Sequence, residues 1–205
     1  MLTRTRSISA TLALSVGLLA VAGPAAAAGE VGTAATLPPE ARPVDTSKPD
    51  RYIGNGTPKS CTAKRVVAAV AKGGIIRFRC GKKPVTIKMY ATAKVRNDRP
   101  PVVLDGRGKV TLNGMGKRRI LYMNTCDKRQ VWTTPHCQNQ DHPTLTVQNL
   151  TFKNGKASGT NTMNGGGAIF VRGGRLKVVN SKFFNNRCAA TGPDVAGGAI
   201  QVFSQ

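Results

Sequence analysis

Acidic residues are scarce in this chain of 205 residues. Nine Asp and Glu stand against 31 Lys and Arg, which gives a formal net charge of +22. Asp105, Asp127, Asp141 and Asp194 are isolated, and no two carboxylates are adjacent or one residue apart. Hydrolases of the acid–base type need two carboxylates placed together, so the sequence does not support this chemistry. A serine-nucleophile elbow and a phosphate-cradling glycine loop are missing as well.

Long apolar runs are confined to the amino terminus. Arg4 and Arg6 precede the apolar stretch Ile8–Val21, and Ala26–Ala28 follow it. A positive start, a short apolar run and small residues together predict a signal peptide over residues 1–28. The alternative, a membrane anchor, is disfavoured because the run is too short to span a bilayer comfortably. We therefore expect a protein that is secreted or held at the cell surface, with no stable membrane span after cleavage.

Large apolar residues are also few between positions 29 and 59, where Pro, Gly, Ala, Ser and Thr dominate. Such a composition predicts a disordered spacer. Residues 60–205 are left as a single folded domain.

The positive charge persists after the predicted cleavage, because loss of Arg4 and Arg6 lowers it only from +22 to +20. A charge of this size favours anionic partners. Outside the cell these are acidic polysaccharides, cell-wall polymers or anionic surfaces, and nucleic acid is not expected. An alternative is that the lysines protect strand edges and keep the protein soluble.

Five cysteines in an exported chain indicate disulfides. Cys61 and Cys80 are 19 residues apart, and Cys126 and Cys137 are 11 apart around a polar loop. We predict these two bridges, although spacing alone does not fix connectivity. Cys188 is left without a partner. Since the sequence stops without a polar terminal repeat, we also expect it to be the N-terminal part of a longer protein.

A repeat of 31 residues marks the second half of the chain. Leu145–Gly155 returns as Leu176–Asn186, and Gly166–Ile169 returns as Gly197–Ile200. Self-similarity of this kind is typical of stacked repeats, in which equivalent apolar side chains lie one above the other. The pairs predicted to stack inside are Leu145/Leu176, Val147/Val178, Phe152/Phe183 and Ile169/Ile200.

Asn149 and Asn180 occupy the same position of this repeat, between two strands. Stacked amides can hydrogen-bond along the direction of stacking, so we predict an asparagine ladder. The alternative is a pair of ordinary solvent-facing turns. The glycine pairs of the repeat permit tight corners.

A short helix and many short strands are predicted for the rest of the domain. Residues 61–72 place apolar side chains on one helical face, and Gly73 would end the helix. These side chains are Val66, Val67, Val70 and Ala71. From residue 75 onward, β-branched or aromatic segments recur every 8 to 15 residues. The expected strands are 75–78, 85–87, 102–104, 110–112, 119–123, 145–148, 150–152, 168–171, 176–179, 183–184 and 199–202. A β-sandwich has a similar rhythm, but the in-register repeat favours a coil.

These segments carry a resemblance to known families. Phe183–Asn186, with the spacing Phe-x-x-Asn, and the Gly-Gly-Ala-Ile segments resemble the repeat of the polymorphic outer-membrane proteins. Leu104–Gly108 is similar to the Asp-Gly-x-Gly turn of right-handed parallel β-helix proteins, including the pectate lyases, and Asp105 is expected to form that turn. The resemblance implies an all-β fold, a right-handed parallel β-helix (solenoid) with a short N-terminal capping helix. This hand is also the rule for connections between parallel strands.

The segment 124–142 interrupts the strand rhythm and is the predicted binding site. Lys128, Arg129 and Trp132 lie in it, and Tyr122 is close by. Aromatic rings and cations suit a sugar ring and its carboxylate, through stacking and charge-assisted hydrogen bonds. The alternative is that Trp132 covers the apolar core beneath the loop.

Two histidines in the same segment suggest zinc as a further alternative. His136 and His142 flank Cys137 and Asp141, and these are residue types that bind zinc. A disulfide from Cys137 is the favoured interpretation, so no metal site is predicted.

The sequence therefore predicts a secreted, surface or adhesin-like module that binds anionic polysaccharide without a cofactor. The alternative is a polysaccharide lyase or hydrolase, similar to pectate lyases, whose catalytic residues lie beyond residue 205. The pectate lyase resemblance implies clustered aspartates for calcium and an arginine base. Calcium is expected only under that alternative, because this sequence has no such cluster.

Overall fold

Parallel strands form most of the ordered structure. The computed structural model describes residues 36–157, 163–192 and 195–203, so the predicted signal peptide lies outside the described residues. The described residues contain one α-helix, α1 (Ala63–Lys72), and eleven strands. The strands are β1 (Arg51–Ile53), β2 (Gly74–Phe78), β3 (Val85–Lys88), β4 (Ala93–Lys94), β5 (Val102–Asn113), β6 (Leu121–Asn124), β7 (Thr144–Lys153), β8 (Ile169–Arg172), β9 (Arg175–Val179), β10 (Lys182–Phe184) and β11 (Ile200–Phe203).

The strands pair in two sheets, and every pairing between them is parallel. The first sheet has the order β1-β2-β5-β7-β10, with β3 joined to β5 and β9 joined to β7. The second sheet has the order β11-β8-β6-β4. The long strands β5 and β7 have two sets of partners, because their first halves pair with β2 and β9 and their second halves with β3 and β10.

Both long strands change direction at a polar residue. In β5 the Asp105 carboxylate accepts the Arg107 N–H at 2.9 Å, and Arg107 has φ 53°. In β7 Asn149 has φ 54°. Aspartate and asparagine favour such positions because their short side chains hydrogen-bond the local backbone. Asp105 therefore forms the turn that the sequence predicts.

Capping residues mark both ends of helix α1. The Thr62 hydroxyl accepts the Arg65 N–H at 3.4 Å at the start, and Gly73 follows the last turn with φ 70°. The buried side is Ala63, Val66, Ala69 and Val70, which joins the core beside β1, β2 and β4. Val67 and Ala71, predicted on that face, are only half-buried.

The core consists of apolar side chains that repeat at equivalent positions of neighbouring strands. Ile76, Leu104 and Val147 are paired across the first sheet and have no exposed surface. In the second sheet, Leu121 and Ile169 are likewise paired on neighbouring strands and have no exposed surface. Each such side chain contributes about 1.5–3 kcal/mol by burial.

The 31-residue repeat produces in-register pairs, as predicted, but Val178, which pairs with Val147 and was predicted to point inside, is 38% exposed. Leu145 lies opposite Leu176, and Ile169 lies opposite Ile200. The rings of Phe152 and Phe183 stack with centroids 5.0 Å apart. The Gly-Gly-Ala-Ile segments also join through backbone hydrogen bonds of 2.7 to 3.0 Å.

The asparagine ladder is also confirmed. The Asn180 amide donates to the Asn149 side-chain oxygen at 2.8 Å, and the Asn149 amide donates to Asp105 at 3.0 Å. The ladder therefore extends one strand further than predicted and ends on a carboxylate.

The predicted all-β right-handed parallel β-helix, or solenoid with a capping helix, is wrong. The described residues form two parallel sheets and an α-helix, a mixed arrangement with no repeat of constant length. The number of residues between paired positions changes from one strand pair to the next. It is 25 for β1 and β2 (51 and 76), 28 for β2 and β5 (74 and 102), 43 for β5 and β7 (102 and 145) and 31 for β7 and β9 (145 and 176). The sequence repeat fixes the register of only the last of these pairs, so it was a poor guide to the whole architecture.

The predicted disordered spacer over residues 29–59 is wrong for much of its described part. Strand β1 pairs with β2, and Ile53 is buried. Residues 42–50, which we call the crossing segment, run across the strands of the first sheet. The Lys177 ammonium of β9 donates to the Arg42 carbonyl at 3.0 Å, and Gln148 of β7 exchanges two hydrogen bonds of 3.0 Å with the Val44 backbone.

The crossing segment is then held by β5 and β2. The Thr46 hydroxyl donates to Asp105 at 2.5 Å, and the Arg77 guanidinium donates to the Thr46 carbonyl at 3.1 Å. At the far end, the Asp50 carboxylate accepts the Ile75 N–H at 2.6 Å. The partners that order this polar segment lie 25 to 135 positions away in the chain, so its local composition could not reveal them.

Candidate functional site

The predicted binding loop is organised around a buried carboxylate. Both predicted disulfides are present, and Cys126–Cys137 closes this loop. Asp127 is buried and accepts hydrogen bonds from Arg129 at 3.0 Å and from Gln130 at 3.2 Å. Burial alone would raise the pKa of Asp127, but the hydrogen bonds from Arg129, Gln130 and Tyr122 hold that pKa below its ordinary value. The carboxylate is therefore occupied by the loop itself.

Tyr122 lies in the interior and not on a binding surface. Its ring stacks on Phe170 with centroids 5.5 Å apart, and its hydroxyl donates to Asp127 at 3.1 Å. The same hydroxyl accepts the Asn124 amide at 2.7 Å. Burial raises the pKa of Tyr122 to about 12. A ligand in solution cannot stack on this ring, which is 6% exposed.

A half-buried arginine covers the same pair of rings. The Arg119 guanidinium lies 4.7 Å from the centroid of Phe170 and 5.9 Å from that of Tyr122. It donates to the carbonyl oxygens of Met163, Gly165 and Gly166. Burial lowers the pKa of Arg119 to about 10. This arginine therefore fastens residues 163–166 over the second sheet.

The remaining predicted site residues do not converge with Tyr122 in one place. Lys128 and Arg129 are exposed, and Arg129 is paired with Asp127. Trp132 is half-buried and its ring lies 5.3 Å from that of His142. Hydrogen bonds through Asp127 thus link Tyr122 with Arg129, whereas Trp132 has a different aromatic partner.

The residues of the zinc alternative are used elsewhere. Cys137 is in a disulfide, and Asp141 pairs with Arg175 at 2.8 Å. Cys188 is a free, half-buried thiol. Among the described residues, no group of three or more His, Cys, Asp or Glu could hold a metal ion.

The sequence analysis missed a second surface, on the outer side of β3, β10 and the second halves of β5 and β7. Along these strands Ile87, Leu112, Phe152 and Phe183 point into the core, so alternate residues point outward. We call this surface the lysine–threonine face. It is made of two rows in register, Thr86–Thr111–Thr151–Lys182 and Lys88–Asn113–Lys153–Phe184.

The lysine–threonine face combines cations, hydroxyls and one aromatic ring. Lys88, Lys153 and Lys182 are exposed, and Phe184 is 50% exposed. None of the nine acidic residues of the chain lies in β3, β10 or the second halves of β5 and β7. The three ammonium groups therefore have no carboxylate partner within these strands, and their charge faces solvent.

The geometry of the strands sets the spacing of these charges. Neighbouring strands lie about 4.8 Å apart. Lys88 and Lys153 share a row and are separated by one strand, so their backbones lie about 10 Å apart. Lys182 is on the strand beyond Lys153, two residues back from the same row. The three cations are therefore spread over two neighbouring rows, with Thr and Asn side chains between them.

A signal for this face is present in the sequence but is weak. Lys and Thr alternate with apolar residues in each of the four segments, a pattern typical of strands with one buried side. The pairing of Val85 with Val110, and of Val110 with Leu150, is what aligns the polar residues into rows. The 31-residue repeat begins only at β7, so it gives no information on how β3 and β5 align with each other or with β7.

No family model, curated protein or solved structure matches this chain. Among the residues that the structure describes, no helix has the length and apolar character needed to cross a membrane. The two disulfides indicate a protein that folds outside the reducing cytoplasm.

Proposed function

We propose that this protein is a secreted module that binds an anionic polysaccharide along the lysine–threonine face. The observation that carries the proposal is the in-register row Lys88–Asn113–Lys153–Phe184, flanked by Lys182. Ammonium groups attract the carboxylates of a polyanion, and hydroxyl and amide groups hydrogen-bond its sugar hydroxyls. Phe184 offers an exposed apolar ring to the face of a sugar.

The net charge of the chain supports the same partner class. An excess of 31 basic over nine acidic residues attracts polyanions over distances of about a screening length. The apparent signal peptide and the two disulfides support export, and the Gly-Gly-Ala-Ile resemblance to polymorphic outer-membrane proteins supports a place at the cell surface. The lyase alternative gains no specific observation, because no group of three or more His, Cys, Asp or Glu that could hold a metal ion occurs among the described residues.

Retention on a polygalacturonate resin tests the proposal. A face variant combines Lys88→Thr, Lys153→Thr and Lys182→Thr, in which threonine keeps the β-propensity of each strand. We expect its affinity to fall about tenfold at roughly 0.05 M salt, since each exposed ion pair is worth about 0.2–1 kcal/mol. The attraction should fade through roughly 0.15 M salt, where the screening length is about 8 Å.

The matched control loses the same charge from dispersed exposed positions outside both candidate sites, through Lys48→Thr, Lys59→Thr and Lys72→Thr. Its affinity should fall no more than about threefold, because only long-range attraction is lost. A loop variant, with Arg129→Ala and Trp132→Ala, tests the binding site that the sequence predicts. Equal losses in the face variant and the control would contradict a localised site. A larger loss in the loop variant would move the site to the loop, and steady release of unsaturated sugar would favour a lyase.

A further inference from the structure

A groove separates helix α1 from the edge strand β3. It has a volume of about 710 Å³, and its walls include Val67, Ala68 and Ala71 of the helix and Thr86 and Lys88 of the strand. Tyr90, which is 65% exposed, stands at its end. Of the helix residues in this wall, Val67 is half-buried and packs against the edge of the core, Ala71 is half-buried and Ala68 is exposed.

The strand side of the groove presents unpaired backbone. In the described ranges β3 pairs with β5 and with no other strand. The Met89 N–H points to β5, where it donates to the Asn113 carbonyl at 2.8 Å. The N–H and C=O groups of successive residues point to alternate sides of a strand, so the N–H and C=O of Ile87 also point to β5. The N–H and C=O groups of Thr86 and Lys88 point into the groove.

The charges around the groove decide what can occupy it. Lys64 and Lys88 line it, and no carboxylate does. A second copy of this chain that added its edge strand β10 or β3 would bring Lys182 or Lys88 beside Lys88, and like charges across a strand pair repel. An extended peptide with acidic side chains would instead form opposite-charge pairs with these lysines.

We propose that this groove binds an extended peptide of alternating apolar and acidic residues, which adds to β3 as a further parallel or antiparallel strand. Its backbone hydrogen-bonds Thr86 and Lys88. Its apolar side chains pack on Val67, Ala68 and Ala71, and its acidic side chains lie beside Lys88 on the outer side. The four residues of β3 match four to five residues of peptide, at about 3.3 Å per residue. The inference does not rest on the polysaccharide proposal.

Fluorescence anisotropy with a labelled, acetylated and amidated (Val-Glu)3 peptide tests the strand addition. Thr86→Pro removes an N–H that faces the groove and leaves the bonds to β5 in place, and an edge strand tolerates proline. We expect this variant to weaken binding at least fivefold. The matched control, Thr86→Val, retains the N–H and should change affinity less than twofold. Ala68→Arg, which fills the groove without loss of positive charge, should weaken binding at least tenfold.

A second probe keeps the test decisive if a variant fails to fold. The same peptide with alternate amides N-methylated keeps its charge and side chains but loses backbone donors, and we expect it to bind at least fivefold more weakly to the unmodified protein. Strand addition would be overturned if the N-methylated peptide bound as tightly as the unmodified one. It would also be overturned if an oligo-glutamate of the same charge bound as tightly as the (Val-Glu)3 peptide. Loss of binding on Ala68→Arg but not on Thr86→Pro would show that the peptide binds through its apolar side chains alone, and this too would overturn strand addition. Lys153→Thr with Lys182→Thr should leave peptide binding unchanged, which separates this site from the polysaccharide face.

Discussion

Replacement of Thr46 by valine should detach the crossing segment from the first sheet. Thr46 is 7% exposed, and its hydroxyl donates to the Asp105 carboxylate at 2.5 Å. Valine has nearly the same shape but no hydroxyl, so the change removes one hydrogen bond to a charged acceptor and leaves that acceptor partly unsatisfied. A bond of this type is worth about 1.5–3 kcal/mol. We expect a loss of unfolding free energy in this range.

Urea unfolding measures the loss, and the exchange rate of the Val44 amide locates it. Val44 lies in the crossing segment, and its N–H donates to the Gln148 side chain of β7. The Val44 amide should therefore exchange faster in the variant. Thr57→Val is the matched control, because Thr57 donates to Asn55 at 3.1 Å in an exposed position. Water replaces that bond, and we expect a change of no more than about 0.5 kcal/mol.

The effect of Thr46→Val should depend on pH. Burial alone would raise the pKa of Asp105, but the hydrogen bonds from Thr46, Asn149 and Arg107 and the charge of Arg77 hold that pKa below its ordinary value of 3.8. A lowered folded pKa means that the stabilisation is present above the unfolded value and is lost as pH falls through the folded value. The difference between wild type and variant should therefore shrink in acid. An unchanged urea midpoint with unchanged Val44 exchange at neutral pH would refute the anchoring role of this contact.

Three further predictions concern the core, the ladder and the buried tyrosine. Phe152→Ala should cost about 3–5 kcal/mol in urea unfolding, because the ring is fully buried against Phe183, whereas Phe184→Ala at an exposed position should cost much less. Asn149→Gly retains the left-handed backbone and loses only the ladder, so Asn149→Ala should be the less stable of the two by about 1 kcal/mol. In a spectrophotometric titration, Tyr122 should ionise near pH 12, because burial raises its pKa from the ordinary value of 10.0. The stability that the protonated hydroxyl contributes should be full below pH 10 and should decline as the pH rises above 10.

The sequence predicted those parts of the fold that depend on local or repeated signals. The helix near residues 61–72, both disulfides and the ladder between Asn149 and Asn180 were visible as spacing, capping residues or in-register copies. Each of these features involves partners of known separation in the chain. Their physical cause is therefore contained in the pattern itself.

The architecture and the crossing segment could not be predicted in the same way. Strand β1 and the short strand β4 lack apolar runs of their own and form because partners elsewhere pair with them. Residues 42–50 are ordered by Gln148, Asp105 and Arg77, which belong to three different strands. The burial of Tyr122 could not be predicted for the same reason, since the ring of its partner Phe170 comes from a strand distant in the sequence.

The position of Lys153 separates the two explanations of the positive charge. Lys88 and Lys182 are on edge strands, where lysine also discourages pairing with other chains. Lys153 is on β7, which is paired on both sides, by β5 and by β10. A lysine there protects no edge, and it aligns with Lys88 across Asn113. If the lysines serve solubility alone, Lys153→Thr should change neither aggregation nor polysaccharide retention, whereas a binding role requires that retention fall while aggregation stays the same.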